Sequence, residues 1–363
     1  MTQTYHKEEE FMSEERPVAV RVRRTPLAML SDASMAIEHF RVAATVREKH
    51  LEKRGQSCPD TQELILRSMD LEDWVNGRLA GYMEPHPAYW WFSHIKGIGK
   101  ENIAKVIGEI EGFGRFYPVG DSWIPAYVHR LPESYYKLDG SKLVEETGVW
   151  VEGIERCTTP SKLRVHAGWA PGIKRRVGET LRYNARLKML VWRLAVSLMR
   201  VKGYSWVADP SLLGYSGDVD KLASKDGKGK TLYHVPDPAR NGKFYSFYCE
   251  YHDYLVRREV AKGTNIIPTP KARFCAACQK DVVKKAAKFC PDCHGPLSLK
   301  TEPPGYLYEG HLHNMVMRRT GQLFLDLLWV AWREGLGLPL RTPYSVEYGG
   351  HSRIITCQDM MDK

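Results

Sequence analysis

Four cysteines carry the clearest chemistry in this chain. They lie in "FCAACQKDVVKKAAKFCPDCHG", spaced Cys275-x2-Cys278, eleven residues, then Cys290-x2-Cys293. A Cys-x2-Cys pair bends the backbone so that both sulfurs face one ion, and two pairs supply the four thiolates of a tetrahedral zinc site. The gap is shorter than usual, and a small ribbon hairpin can close it. The rival chemistry is a redox dithiol, but two pairs with lysines between them suit a ribbon better. Such sites fold short segments, so the expected role of Zn2+ is structural. His294, beside the last cysteine, reads as a bystander. Lys280, Lys284, Lys285 and Lys288 lie on the hairpin, where they either meet phosphates or are simply solvated.

A second segment, "HIKGIGKENIAKVIGEI" from His94 to Ile110, matches a helix-hairpin-helix pattern. Its elements are hydrophobic-x-Gly-hydrophobic-Gly, then Ala104 and Ile107 in register. Two glycines let the backbone turn tightly and bring amides close to a phosphate. The N-terminus of the next helix adds positive partial charge there. Lys96, Gly97, Gly99, Lys100 and Lys105 are the candidate contacts. The plain alternative is a glycine-broken joint between two packed helices.

The third segment runs from Pro160 to Gly203 and holds eleven Lys or Arg against one acidic residue, Glu179. A merely solvated face would mix in Asp and Glu, whereas phosphate neutralisation with counterion release needs such an excess. Lys174, Arg175, Arg176, Arg182, Arg186 and Lys188 are the candidate contacts.

The whole chain of 363 residues has a formal charge of +10 and a pI near 9.1. That surplus favours polyanionic partners and says nothing about fold. Hydrophobic content of 43% and charged content of 26% are those of a globular protein with buried cores. The charged N-terminus "MTQTYHKEEEFMSEERPV" argues against export. The most apolar run, "LFLDLLWVAW", is too short to span a bilayer and contains Asp326. The expectation is a cytoplasmic protein, nucleoid-associated if it binds DNA, with no membrane partner, in a compartment where clustered cysteines mean metal.

The elements that must position these segments read as helices. Residues 1–30 are expected to be flexible. Ser31 to Glu52 places Met35, Ile37, Phe40, Val42, Ala43 and Val46 at helical spacing, and a second helix starts at Asp60 and runs through Leu64, Ile65, Met69, Leu71 and Trp74. The pair forms a scaffold over 31–88. Trp90 and Trp91 suit core or interface anchors. Tyr117 to Arg156 reads as an irregular insertion, and Tyr183 to Arg200 as a long helix. "LGYSGDVDKLASKDGKGK" reads as a mobile loop. Phe244 to Val260 is a tyrosine-rich helix, with Tyr245, Tyr248, Tyr251 and Tyr254 better suited to packing than to base stacking. A last helix spans His311 to about Gly335. The expected blocks are 89–262 for the helix-hairpin-helix domain, 270–300 for the ribbon and 305–363 for the last helix and tail.

The order of motifs resembles the C-terminal domain of DEDD-type insertion-sequence transposases of the IS-one-ten class, whose better-known members are RNA-guided recombinases. The pieces that carry the resemblance are the hairpin, the "AGWAPG" box at Ala167 to Gly172, and Asn184 with the following Leu187. It covers Tyr89 to Gly203 well, and continues loosely through Phe244 to Val260 and the last helix. Two features of that family are missing. No alternating strand series precedes the hairpin to bear the acidic residues of a RuvC-like domain, and no serine lies between Pro171 and Asn184, where the family places its nucleophile. The resemblance implies a mainly α fold, a helical transposase-like domain with a helix-hairpin-helix motif plus a small four-cysteine zinc ribbon. It also implies the nucleic-acid-handling part of a transposase without its chemistry.

Three functions follow, the third being a purely structural interaction protein whose basic surface meets an acidic protein. The first is a non-catalytic or accessory nucleic-acid-binding protein, with duplex DNA favoured over structured RNA and contacts mainly to phosphates, acting with a partner protein or by self-association. In it, the tyrosine-rich and last helices are core or a self-association surface. The second is a DNA recombinase or transposase using an unrecognised nucleophile or a partner's catalytic domain. Ser161, Thr180, Tyr183 and Ser197 are nucleophile candidates by proximity only, and His166 is a base candidate.

Overall fold

The computed structural model describes residues 25–112, 114–118, 133–139, 142–173, 178, 180–215, 217, 223–225, 230–283, 288–298, 301–341 and 354–362. Among these the chain is mainly helical, with nine α-helices and four small sheets. They group into two compact units: Met1–His94, Ile98–Val191 and Leu325–Met361 form the first, and Ile95–Gly97, Trp192–Phe324 and Asp362–Lys363 the second.

The first unit begins with α1 (Pro26–Glu52) and α2 (Pro59–Gly81). Thr25 caps α1 by accepting the Ala28 N–H at 3.1 Å, with Pro26 at the first helical position, so the helix starts five residues before the expected Ser31. Ser34 bonds Asn76 at 2.9 Å, Arg41 pairs with Glu72 at 2.6 Å, and Gln62 bonds Glu48 at 2.8 Å. One partner's number falls as the other's rises, so the helices run antiparallel. Ser34, Ala44 and Glu48 on α1 and Thr61, Ser68, Val75 and Leu79 on α2 are buried, while Ser31 is buried with its hydroxyl donating to the Lys105 carbonyl at 3.3 Å. The apolar positions named from the sequence do not line the seam: Phe40, Val42, Val46, Leu64, Met69, Leu71 and Trp74 are exposed. Small side chains and hydrogen-bonded pairs let the backbones approach, and of the periodic apolar residues only Met35, Ile37 and Ile65 are half-buried.

Next come α3 (Tyr89–Phe92), a single turn, and α4 (Lys100–Glu111). On α4, Ile103, Ala104, Val106, Ile107 and Ile110 are all but fully buried. Trp91 is fully buried and donates its indole N–H to the Cys357 carbonyl at 3.1 Å; Trp90 donates to Ala331 at 3.3 Å. Both tryptophans are the anchors the sequence suggested. The stretch read as irregular contains an antiparallel sheet, β1 (Gly114–Pro118), β2 (Glu133–Asp139) and β3 (Lys142–Glu152), in the order β1-β3-β2. Two short helices follow, α5 (Gly153–Arg156) and α6 (Pro160–His166), and then α7 (Ala185–Met199).

The second unit contains the antiparallel sheet of β4 (Tyr204–Val207), β5 (Ala223–Lys225) and β6 (Thr231–Pro236), in the order β4-β6-β5. α8 (Lys243–Ala261) is the tyrosine-rich helix. β7 (Asn265–Ile267) pairs in parallel with β11 (Tyr306–Tyr308), and between them lie the ribbon strands β8 (Arg273–Cys275), β9 (Lys280–Val282) and β10 (Leu297–Ser298). The last helix, α9, spans Glu309–Gly335. Leu255, Leu307, Leu312 and Val316 form a core against which Tyr248 and Tyr251 pack, as expected of that helix. In the run Leu323 to Trp332 every apolar residue but the half-buried Val330 is buried, so most of it is core. Of the segment read as a mobile loop, residues 216, 218–222 and 226–229 lie outside the described residues, and 223–225 form β5.

Candidate metal centre and basic segments

The ribbon brings the four cysteines together. β8 pairs with β9 on one side and β10 on the other, and Cys275, Val282, Cys290 and Leu297 form its small core. The four sulfurs lie within 4.8 Å of one another, with Cys275 and Cys293 3.4 Å apart and Cys278 and Cys290 3.9 Å apart. Thiolates bound at about 2.3 Å around one tetrahedral ion sit about 3.8 Å apart, so the spacing fits a four-thiolate site.

Each knuckle turns a backbone amide onto a sulfur. Cys278 N–H points at the Cys275 sulfur and Gly295 N–H at the Cys293 sulfur, each at 3.4 Å. Amides aimed at sulfur orient a thiolate toward its ion. The residue after each second cysteine, Gln279 (φ 51°) and His294 (φ 53°), takes a left-handed conformation. His294 is thus a turn residue outside the four-sulfur cluster, and its N–H closes the knuckle on the Cys290 carbonyl at 3.0 Å. Crowding shows in the thiols: Cys278 is pushed up to about 12, first by its hydrogen bond with Cys293, while backbone hydrogen bonding at Cys293 is the first cause holding Cys290 down. A divalent cation removes the repulsion between thiolates so placed. Of the ribbon lysines, Lys280 is paired with Asp292, Lys288 is exposed, and Lys284 and Lys285 lie outside the described residues.

The glycine turn differs in detail from expectation. Gly97 sits at φ 90°, and a Cβ there would stand 2.5 Å from Val201 Cγ2 and 3.2 Å from the Ser197 carbonyl. Its own carbonyl accepts the Ser197 hydroxyl at 2.8 Å. Gly99 has an ordinary φ of −77° and room for a side chain; it is the N-cap of α4. The Lys96 N–H is bonded to a carboxylate oxygen of Asp362 at 2.7 Å. Lys100 pairs with Glu84 at 2.6 Å and lies 5.6 Å over the Tyr89 ring. Lys105, named as a phosphate contact, is 6% exposed, and α4 turns it inward where α1 packs. A buried ammonium is not offered to a polyanion.

In the basic segment Lys174, Arg175 and Arg176 lie outside the described residues. Arg182 is exposed. Arg186 pairs with Asp32 at 2.5 Å and Glu109 at 3.1 Å, which makes it a tie between helices. Lys188 lies 4.6 Å over the Tyr183 ring, and that ring rests on Gly168 of the "AGWAPG" box, where a Cβ would meet it at 2.4 Å. Asn184 caps α7, its side-chain oxygen accepting the N–H groups of Arg186 and Leu187 at 3.0 Å each, while its amide donates to Glu109 at 2.8 Å. The residues that carry the family resemblance thus have local structural roles.

The other chemical candidates have such roles too. The Ser161 hydroxyl accepts from Arg164 at 3.2 Å, and Thr180 is exposed. Burial pushes His166 down to about 4, with Arg156 adding to it, and burial alone does the same to His86. His86 packs edge-on to Trp332 at 4.5 Å, a buried site that nothing in its sequence neighbourhood signalled. Among the described residues no helix is long and apolar enough to cross a membrane.

Compared with protein-family models, curated proteins and solved structures, the chain matches none.

Proposed function

We propose that the chain is a non-catalytic or accessory nucleic-acid-binding protein, related to insertion-sequence transposases, that contacts mainly phosphates and favours duplex DNA over structured RNA. The observation that carries this reading is the Lys96 amide: the glycine turn holds it against an anionic oxygen, here the Asp362 carboxylate. A phosphate oxygen offers the same acceptor. The segment from Pro160 to Gly203 holds eleven Lys or Arg; Arg186 is tied to two carboxylates, and the exposed Arg182 is the cation of this segment for which we infer a phosphate contact.

In this reading the four cysteines hold Zn2+, which supplies no reaction and fixes the ribbon by tying two knuckles to one ion. The recombinase reading has less support. The Ser197 hydroxyl is bonded to Gly97, and the Tyr183 ring is packed on Gly168 beneath Lys188.

The test is binding of labelled duplex DNA and structured RNA over a salt series. Affinity that falls steeply with salt, by roughly one slope unit for each phosphate contact, supports the reading. No binding at low salt overturns it.

A further inference from the structure

The β4-β6-β5 sheet carries aromatic rings on a face left to water. Alternation along β4 sends Ser205 inward, where its hydroxyl bonds Asp237 at 2.6 Å, and sends Tyr204 and Trp206 outward. His234 pairs directly with Trp206 across the ladder, so it shares their face. The imidazole is stacked between the two larger rings, 4.8 Å from Tyr204 at 27° and 4.6 Å from Trp206 at 23°. Trp206 is nonetheless 54% exposed and Tyr204 40%. The wet face of an antiparallel sheet ordinarily carries polar side chains. Three stacked rings there are not explained by the core, which Val235 on the other face serves.

The row continues onto α8. Tyr204 lies near enough to help raise the Tyr245 hydroxyl, though burial and Cys249 act on it more strongly. Tyr245 stacks on Tyr248 at 6.2 Å and 9°. Cations border the row. Lys202 lies 5.6 Å over the Tyr245 ring; Gly203 lies against the backbone of exposed Arg240, which pairs with Asp237 at 3.5 Å, and exposed Lys243 opens the helix that carries Tyr245. Rings open on one side and lined by cationic groups suit a ligand that is flat, aromatic and anionic at regular intervals. An unpaired polynucleotide strand has that chemistry: each base presents a π-face, and each linkage a phosphate.

We propose that this face binds single-stranded nucleic acid, with a base stacked on Trp206 and the phosphates passing Lys202 and Lys243. The proposal rests on the reading of the chain as a nucleic-acid binder and adds a second, unpaired-strand surface to it. A duplex cannot use this surface, because its bases are already stacked.

The experiment compares the full chain and its Trp206→Ala, Tyr204→Ala and Trp206→Phe variants. Fluorescence anisotropy follows labelled oligo(dT) and a labelled mixed-sequence duplex over a salt series. Trp206→Ala is expected to weaken oligo(dT) binding about tenfold, as loss of one stacking ring does. Duplex affinity and both salt slopes should stay unchanged, and Trp206→Phe should retain most of the binding. An unchanged circular dichroism spectrum checks that the fold survives, which the exposure of Trp206 favours. Equal oligo(dT) affinity for wild type and Trp206→Ala overturns the proposal, as does an equal loss on both ligands. Duplex binding without oligo(dT) binding overturns it too and leaves the phosphate-contact function standing. Absence of both overturns the two together.

Discussion

The Lys96 N–H donates to Oδ2 of Asp362 across 2.7 Å, and the same carboxylate accepts the Lys243 N–H on Oδ1 at 2.8 Å. One side chain thus satisfies both the glycine turn and the first amide of α8. An anion already occupies the place the turn would give a phosphate. Asp362→Asn keeps the shape and removes the charge. It is expected to raise affinity for duplex DNA roughly three- to tenfold at low salt, equivalent to about 1 kcal/mol of competition removed. Unchanged or weaker binding in the anisotropy titration would show that phosphates do not use this turn.

The four-cysteine cluster predicts one zinc per chain by native mass spectrometry. Cys275→Ser or Cys290→Ser removes a buried ligand and should abolish zinc retention. Chelation should unfold the ribbon while the helical signal at 222 nm, an observable set by the long helices, changes little. A zinc content that survives Cys290→Ser would refute the four-thiolate site.

Arg186 and Arg182 separate a tie from a contact. Arg186 bridges Asp32 and Glu109, so Arg186→Ala should lower stability by about 1 kcal/mol in urea melts and leave the salt slope of DNA binding unchanged. Arg182→Ala should leave stability unchanged and reduce that slope by about one. The reverse pattern would assign the phosphate contact to Arg186.

Gly168 has φ 67° and the Tyr183 ring where a Cβ would go. Gly168→Ala combines left-handed strain with a clash and should cost roughly 2–4 kcal/mol. A urea midpoint close to that of the wild type would disprove this packing.

Burial lowers His86 from an ordinary 6.5 to about 4 in the folded chain. The unfolded chain binds the proton more readily between those values, so this contribution is fully present above pH 6.5 and is lost as pH falls toward 4. The loss is roughly 3 kcal/mol at pH 4 for His86, and His166 acts in the same direction. His86→Phe should flatten the stability profile between pH 7 and 5; an unchanged profile would mean that His86 is not the titrating group.

Much of this architecture was legible in the sequence where one local pattern fixes one local geometry. The paired Cys-x2-Cys spacing led to the ribbon, the apolar periodicity of Tyr183 to Arg200 led to α7, and the helix expected from His311 to about Gly335 is α9. The sheet of β1 to β3 was not legible, because its charged, alternating strands imitate a loop until pairing covers the Val149 to Val151 edge. Nor was the seam of α1 and α2. Apolar period suggests which residues can be buried, but Ser34 with Asn76 and Arg41 with Glu72 decided which face met its neighbour.

The sequence by itself determined the chemistry on offer: four thiols, an excess of positive charge, and a turn that only glycine can make at Gly97. Tertiary structure decided which of those groups remain available. Lys105 is buried, Arg186 is bound to two carboxylates, and the Lys96 amide is held by Asp362, 266 residues away in the chain. Trp206, which no motif marked, stays exposed and stacked on His234. Residue type and spacing set what a side chain can do, whereas its burial and its partners, brought from distant parts of the chain, set whether it is free to do it.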